Sequence, residues 1–251
     1  YALPFKNQAS PQRRQPISVM RGTAIFDLDS TVIAVESLDE IIRIAIQESG
    51  LSPEETADLA SRIEHITDAG MNGEITLGES ITRRLSIARV HQRHVDAFNQ
   101  RLSTGTLFTE GMEEVFRALR QSEHAVFIVS GALRPCLTSV ATLLHLSTDA
   151  CFGNDYRCDD DGWITGIDLS QPLASSSGKS SVIRMLKESG RAPGPIVMVG
   201  DGTSDLRPWL DNVVDHFIGC AIRKIRPSVR DAAPEFVTDA KRLQSALFSS
   251  I

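Results

Sequence analysis

Thr23-Ala24-Ile25-Phe26-Asp27-Leu28-Asp29-Ser30-Thr31 is a short apolar run that breaks off at a carboxylate, with a second carboxylate two positions on. A run this short with no polar face predicts a strand buried on both sides of a sheet. Two later runs read the same way: Ala125 to Val129, ending at Ser130-Gly131, and Ile196 to Val199, ending at Gly200-Asp201-Gly202. Helical patterns over Glu113 to Arg120 and Pro135 to Leu146 flank the second run, and Ser180 to Glu188 leads into the third. That alternation marks βαβ units, so the expected fold class is α/β, with a Rossmann-like doubly wound parallel sheet as its core. Phe217-Ile218 and Phe236-Val237 are candidates for further strands.

Between the first two strands lies a stretch with no strand signal and at least three helical segments. Ser52-Pro53-Glu54-Glu55 combines a Ser N-cap, Pro at the first helical position and Glu at the third. Thr76 and Glu79 repeat the capping-box spacing, and Asn72-Gly73 supplies a turn between the two helices. The expected organisation is an α/β core over 21–37 and 107–251, a small helical-bundle cap over 38–106 inserted after the first strand, and a flexible extension over 1–20. Arg157 to Ile167 alternates about Asp161-Gly162, a hairpin signal. The neighbouring Asp159-Asp160-Asp161 lacks the ligand spacing of an EF-hand.

A chain of 251 residues, 41% hydrophobic, can bury a full core. Its net charge of −6 provides no broad positive field, so neither nucleic acid nor a membrane surface is an expected partner. No apolar run approaches the roughly 20 residues of a membrane helix. The four cysteines show no CxxC pair and no zinc-ligand spacing, and read as reduced thiols. The expected location is cytoplasmic, or an organelle if residues 1–20 are the remnant of a targeting segment; a homodimer is left open.

In an open parallel sheet, ligands bind at the carboxyl ends of the strands. Here three strand ends deliver Asp27 with Asp29, Ser130, and Asp201 with Asp205. Alternation at period two puts Asp27 and Asp29 on one side of an extended segment. Carboxylates so close repel unless a cation or a proton lies between them. A hard divalent ion bound by carboxylate and phosphate oxygens meets that need, with Asp201 as a third carboxylate. One acid then stays ionised as a nucleophile while the other holds a proton for a leaving oxygen.

Phe26-Asp27-Leu28-Asp29-Ser30-Thr31-Val32-Ile33 resembles the first motif of the haloacid dehalogenase superfamily, in the form found in phosphoserine phosphatases. Val129-Ser130-Gly131 resembles the second motif, Gly178-Lys179 the lysine motif, and Gly200-Asp201-Gly202-Thr203-Ser204-Asp205 the acidic motif. They occur in order, and the resemblance spans about residues 22 to 248. It implies a magnesium-dependent phosphomonoesterase working through an aspartyl-phosphate, with Asp27 as nucleophile and Asp29 as general acid and then base. By the same resemblance Mg2+ sits on Asp27, the Asp29 carbonyl and Asp201. Ser130 and the Gly131 N–H donate to phosphate, Lys179 neutralises charge on its oxygens, and Asp205 orients Lys179 or a metal-bound water.

Val35-Glu36-Ser37-Leu38-Asp39-Glu40 resembles the segment that holds the substrate ammonium in phosphoserine phosphatases, with Glu36 in the acidic position. Met71-Asn72-Gly73 and Thr82-Arg83-Arg84-Leu85 resemble their cap helices, with Arg84 in the position that grips the carboxylate. Met71 and Ser204 complete the implied substrate-binding set, and Arg226 is a candidate for a phosphate-side contact. The implied reaction is hydrolysis of phosphoserine, the last step of serine biosynthesis. The alternative is a phosphatase or phosphotransferase of the same superfamily acting on another small phosphomonoester. Three positions depart from the family pattern: Leu77 replaces an aromatic residue, Ala132 a second glycine, and Ser204 an Asn or Thr. Gly178-Lys179-Ser180 also imitates the end of a nucleotide P-loop, but Leu173 stands where that loop needs glycine.

Overall fold

All four side chains of Thr23–Phe26 are buried, as a strand with no solvent face requires, and the segment takes the centre of a sheet as β1. The protein is described here by a computed structural model that covers residues 21–251. The extension expected over 1–20 lies outside the described residues. β1 pairs in parallel with β2 (Ala125–Leu133) on one side and β6 (Ile196–Gly200) on the other. β3 (Cys151–Asn154), β7 (His216–Cys220) and β8 (Glu235–Val237) complete a six-stranded sheet of order β3-β2-β1-β6-β7-β8, with every neighbouring pair parallel.

Alternation along β1 divides the core into two layers: Ala24 and Phe26 point to one face and Ile25 to the other. On the first face lie α5 (Met112–Gln121), α6 (Arg134–Leu143) and α10 (Ala240–Ser250), which bury Phe116, Leu137 and Leu247. On the second lie α7 (Gly178–Glu188), α8 (Thr203–Leu210) and the short α9 (Pro227–Arg230), which bury Ile183, Leu206 and Val229. Each such side chain contributes about 1.5–3 kcal/mol by leaving water. The doubly wound α/β fold is therefore as expected.

Four helices fill the stretch after β1: α1 (Ser37–Glu48), α2 (Pro53–Met71), α3 (Leu77–Leu85) and α4 (Gln92–Leu102). Ser52 caps α2 with a complete capping box, accepting from Glu55 N–H at 3.3 Å while its own N–H donates to Glu55 at 2.9 Å. At α3 only half of the box forms: Thr76 accepts from Glu79 N–H at 3.2 Å, and the Glu79 carboxylate pairs with Arg83 instead. Asn72 caps the end of α2 and Gly73 follows at φ +79°, the left-handed conformation that glycine tolerates. The buried residues of these helices, among them Ile42, Ile63, Ile81 and Phe98, run continuously into the layer under Phe26. The expected hairpin forms from β4 (Tyr156–Cys158) and β5 (Ile164–Ile167), with Gly162 at φ +84° in its turn.

Two local expectations are corrected. β2 does not stop at Val129 but runs to Leu133, because its ladder with β3 slips: Val129 faces Phe152, and the next pair is Leu133 with Asn154. The extra residues form a bulge in β2. And the chain after Phe26 does not stay extended: Leu28–Val32 forms one wide helical turn, closed by Ile33 N–H donating to the Leu28 carbonyl at 3.0 Å.

Candidate active site

That wide turn decides how the first two acids meet. Asp27 and Asp29 keep extended backbone angles, but Ser30 adopts φ +54°, so the chain folds back and both carboxylates line one pocket. Asp27 Oδ1 accepts from the Leu28 N–H and from Lys179 Nζ, each at 2.8 Å. The Asp29 carboxylate accepts from Ser37 at the start of α1, from its N–H at 3.1 Å and its hydroxyl at 3.0 Å. Burial, followed by the negative charges of Glu36 and Asp27, holds Asp29 well above the usual carboxylate range in spite of those two bonds. One acid is thus held against a cation and the other is set to carry a proton.

Lys179 stands in the first turn of α7, a turn set by Gly178, where an added Cβ would lie 2.0 Å from the Pro172 carbonyl oxygen. Burial works against the Lys179 charge, but Asp205 and Asp27, both in contact with Nζ, overcome it and raise its pKa above the ordinary value. Asp205 is held in turn by the Gly202 N–H, which donates to Oδ2 at 2.9 Å at the start of α8. Burial and then Asp27 push Asp205 up to about 6, against the pull of Lys179.

Carboxylate oxygens of Asp27, Asp201 and Asp205 lie within 4.8 Å of one another, and all three residues are buried. Burial and the charge of Glu36 hold Asp201 well above the usual range, although Arg226 opposes them. Asp201 Oδ2 accepts from Arg226 Nε at 3.0 Å, whereas its buried Oδ1 has no hydrogen-bond partner. Buried carboxylates facing one another, one with an orphaned oxygen, are the donor set of a hard divalent cation, so these residues fit magnesium.

Ser130 and Gly131 sit in the β2 bulge, where Ala132 N–H donates to Ser130 Oγ at 3.2 Å and Asn154 Nδ2 donates to the Gly131 carbonyl at 2.9 Å. The bulge turns them out of the sheet and into the same pocket. The insert closes the other side. Leu77 Cδ2 would stand 2.7 Å from a Cβ on Gly131, and Thr203 Oγ1 donates to the Met71 carbonyl at 3.0 Å. Glu36 and Arg84 line the pocket with Met71, Leu77, Ala132 and Ser204. Glu36 accepts from Ser30 Oγ at 2.7 Å, and burial, then Asp39, raises its pKa.

The nine pocket residues named from the sequence therefore come together: Asp27, Asp29, Glu36, Met71, Arg84, Ser130, Gly131, Lys179 and Ser204. Asp201 and Asp205 adjoin Asp27 beside them. Arg226 does not face this pocket; its guanidinium is spent on Asp201, on Asp68 of α2 and on Glu36. Sequence reasoning also passed over the group that fixes Arg84. Asp39 of α1 accepts from Arg84 Nη1 and from Thr67 Oγ1 of α2, both at 2.9 Å, so three helices converge on one buried carboxylate. The available signal was Asp39 one helical turn after Glu36, an acid on an apolar face that demands a basic partner.

Residues 24–207 match the family described as haloacid dehalogenase-like hydrolase, and the chain belongs to that family. A phosphoserine phosphatase of Bos taurus is 32% identical over 224 residues, which is 88% of this chain and 91% of that one. A crystal structure of a phosphoserine phosphohydrolase-like protein from Francisella tularensis is 26% identical, with a TM-score of 0.80 over 90% of this chain and 99% of that one. A structure described as a phospho-aspartyl intermediate analogue of phosphoserine phosphatase, 23% identical over 93% of this chain and all of that one, shares the fold with a TM-score of 0.73. No helix among the described residues is long and apolar enough to cross a membrane.

Proposed function

We propose that this hydrolase removes the phosphate of phosphoserine in two steps through Asp27. The observation that carries the reading is one pocket in which Asp27, in contact with Lys179, lies beside Asp29, whose pKa burial raises, with Glu36 and Arg84 on its other wall. In the first step an Asp27 oxygen forms a bond to phosphorus while the bond to the serine oxygen breaks, and Asp29 delivers its proton to that oxygen. In the second, Asp29 takes a proton from water as the water oxygen attacks phosphorus and Asp27 leaves. Ser130, the Gly131 N–H and Lys179 hold the phosphoryl oxygens, Lys179 being aimed by Asp205. Asp27, Asp201 and the Asp29 carbonyl would hold Mg2+, which would supply positive charge against the meeting of a carboxylate with a phosphate dianion.

Serine presents an ammonium and a carboxylate to the rest of the pocket. Glu36 suits the first, and the planar guanidinium of Arg84 suits the second. With Nη1 on Asp39, Arg84 is pre-ordered, and little side-chain entropy remains to be lost on binding. Met71, Leu77, Ile81 and Arg84 of the helices over 38–106 form the outer wall of the pocket. Lifting of those helices would admit a phosphorylated amino acid, and their closing would exclude water, the work of a cap.

Activity on a panel tests this: kcat/KM for phosphoserine, phosphoethanolamine and a neutral phospho-alcohol, with Arg84→Ala and Glu36→Gln. Arg84→Ala costs phosphoserine the equivalent of about 2–5 kcal/mol, because a desolvated carboxylate loses its partner, and spares phosphoethanolamine. Glu36→Gln penalises the two substrates with an ammonium. Equal losses on all three would show that these residues support the insert and read no part of serine.

A further inference from the structure

An arginine bonded to a carboxylate that serves a cation poses an electrostatic problem. Arg226 orders Asp201: Nε fixes Oδ2 at 3.0 Å and leaves Oδ1, without a partner, free for the cluster with Asp27 and Asp205. Yet its positive charge beside that cluster repels the cation it prepares for. The guanidinium is 3% exposed, so water does little to screen it. What offsets it is the rest of its fork. Nη1 donates to Asp68 Oδ1 at 3.1 Å, and Nη2 lies 3.8 Å from Glu36. Glu36 belongs to the substrate pocket, so Asp68, which Arg226 shares with Lys224, is the anion outside that pocket.

Asp68 is not part of the core fold. It stands near the end of α2, one turn before Met71, whose carbonyl takes the Thr203 hydroxyl of α8. Lys224, on the same loop as Arg226, donates to both Asp68 oxygens, at 2.6 and 2.8 Å. This carboxylate thus binds the helical insert to the loop after β7 and, through Arg226, to Asp201. If α2 lifts, Asp68 leaves and the Arg226 charge falls more fully on Asp201. We propose that Asp68 is a positioning residue for the cation site: with α2 seated it draws the Arg226 charge away from Asp201, so cation affinity is highest when the insert is closed. The proposal rests on the reading of Asp27 and Asp201 as magnesium ligands.

The test is calorimetric titration of Mg2+ into the full chain without substrate, for the wild type, Asp68→Asn, Asp68→Glu and Lys224→Ala, each checked for folding by circular dichroism. Asp68→Asn weakens Mg2+ binding about tenfold, as loss of an outer partner of a metal site does. Asp68→Glu restores most of the affinity. Lys224→Ala, which loosens Asp68 but leaves its pair with Arg226 intact, weakens Mg2+ binding less than Asp68→Asn does. Should Asp68→Asn fail to fold, Arg226→Lys, which keeps the charge but loses the three-way fork, carries the same expected weakening. Unchanged affinity in Asp68→Asn, or an equal loss in Lys224→Ala, overturns the proposal. A wild-type protein that takes up no Mg2+ overturns instead the magnesium reading beneath it.

Discussion

Removing the negative charge of Asp27 takes away the proposed nucleophile and one of the two anions that hold Lys179. Asp27→Asn is expected to abolish turnover and to leave no acid-stable phosphoryl label on the protein, and a rate near wild type would refute the covalent mechanism. Asp29→Asn is expected to lose about 10² to 10⁴ in kcat. Because burial, Glu36 and Asp27 raise the pKa of Asp29, the wild type keeps its acid charged with a proton further up the pH scale. Activity then falls as pH rises through that value, and the fall should be missing from the pH profile of Asp29→Asn. Asp27, Asp29 and Asp201 were legible because each stands at a strand end, where spacing reveals it; Lys179 was legible only through the resemblance of Gly178-Lys179 to the family's lysine motif. Asp39 and Thr67 were not, nor Asn154: each acts on a partner from another element, and no local pattern says which distant group a buried polar side chain meets.

Among the elements, strands and helices followed from hydrophobic period, and the failures fall where two geometries share one pattern. An alternating run reads alike whether it continues as strand or turns after two residues, so Asp27-Leu28-Asp29 reads as extended with no sign of the turn at Ser30, and the β2 bulge reads as the strand's end. Backbone hydrogen bonding, which sequence period does not record, decides both. α7 supplies a test at this scale. A Cβ on Gly178 would meet backbone, the Pro172 carbonyl oxygen at 2.0 Å, so the helix start must move and carry Lys179 with it. Gly178→Ala is expected to destabilise by about 1–3 kcal/mol and to lower kcat in proportion to the displacement of Lys179. Ser181→Ala, exposed on the same helix, should match wild type in both unfolding temperature and rate. If Gly178→Ala were as active and as stable as Ser181→Ala, the placing of Lys179 by this contact would be wrong.

For the whole molecule, the dominant liability is a set of buried acids. Asp29, Glu36, Asp201 and Asp205 all have raised pKa values, Asp205 at about 6. A folded state that holds protons more tightly than the unfolded chain gains stability from them below the unfolded carboxylate range, near pH 4, and loses it as pH rises through the folded values. Magnesium favours the ionised cluster, so its contribution runs the other way. The rise in unfolding temperature on exchanging EDTA for Mg2+ should be larger at pH 7.5 than at pH 5.5, as read by scanning calorimetry; a rise that shrinks with pH would contradict the site. The α/β class was visible from the alternation of strand and helix patterns along the chain. The merging of the insert's interior with one face of the sheet was not, since amphipathic helices reveal that they bury a face but not against what.

The central place of β1 also bears on how the protein is made. Thr23 pairs with Ala125 on one side and with Ile196 on the other, so the strand that carries Asp27 is made before both partners and waits for them. Contacts this distant in sequence form slowly, and an apolar strand with two open edges is a surface for aggregation meanwhile. A nascent chain halted after α7 would already contain Asp27, Asp29 and Lys179, yet lack β6 and the Asp201 that follows it. It would be inert and exposed, and chaperone demand during translation should therefore peak in that interval and fall once β6 has slotted beside β1.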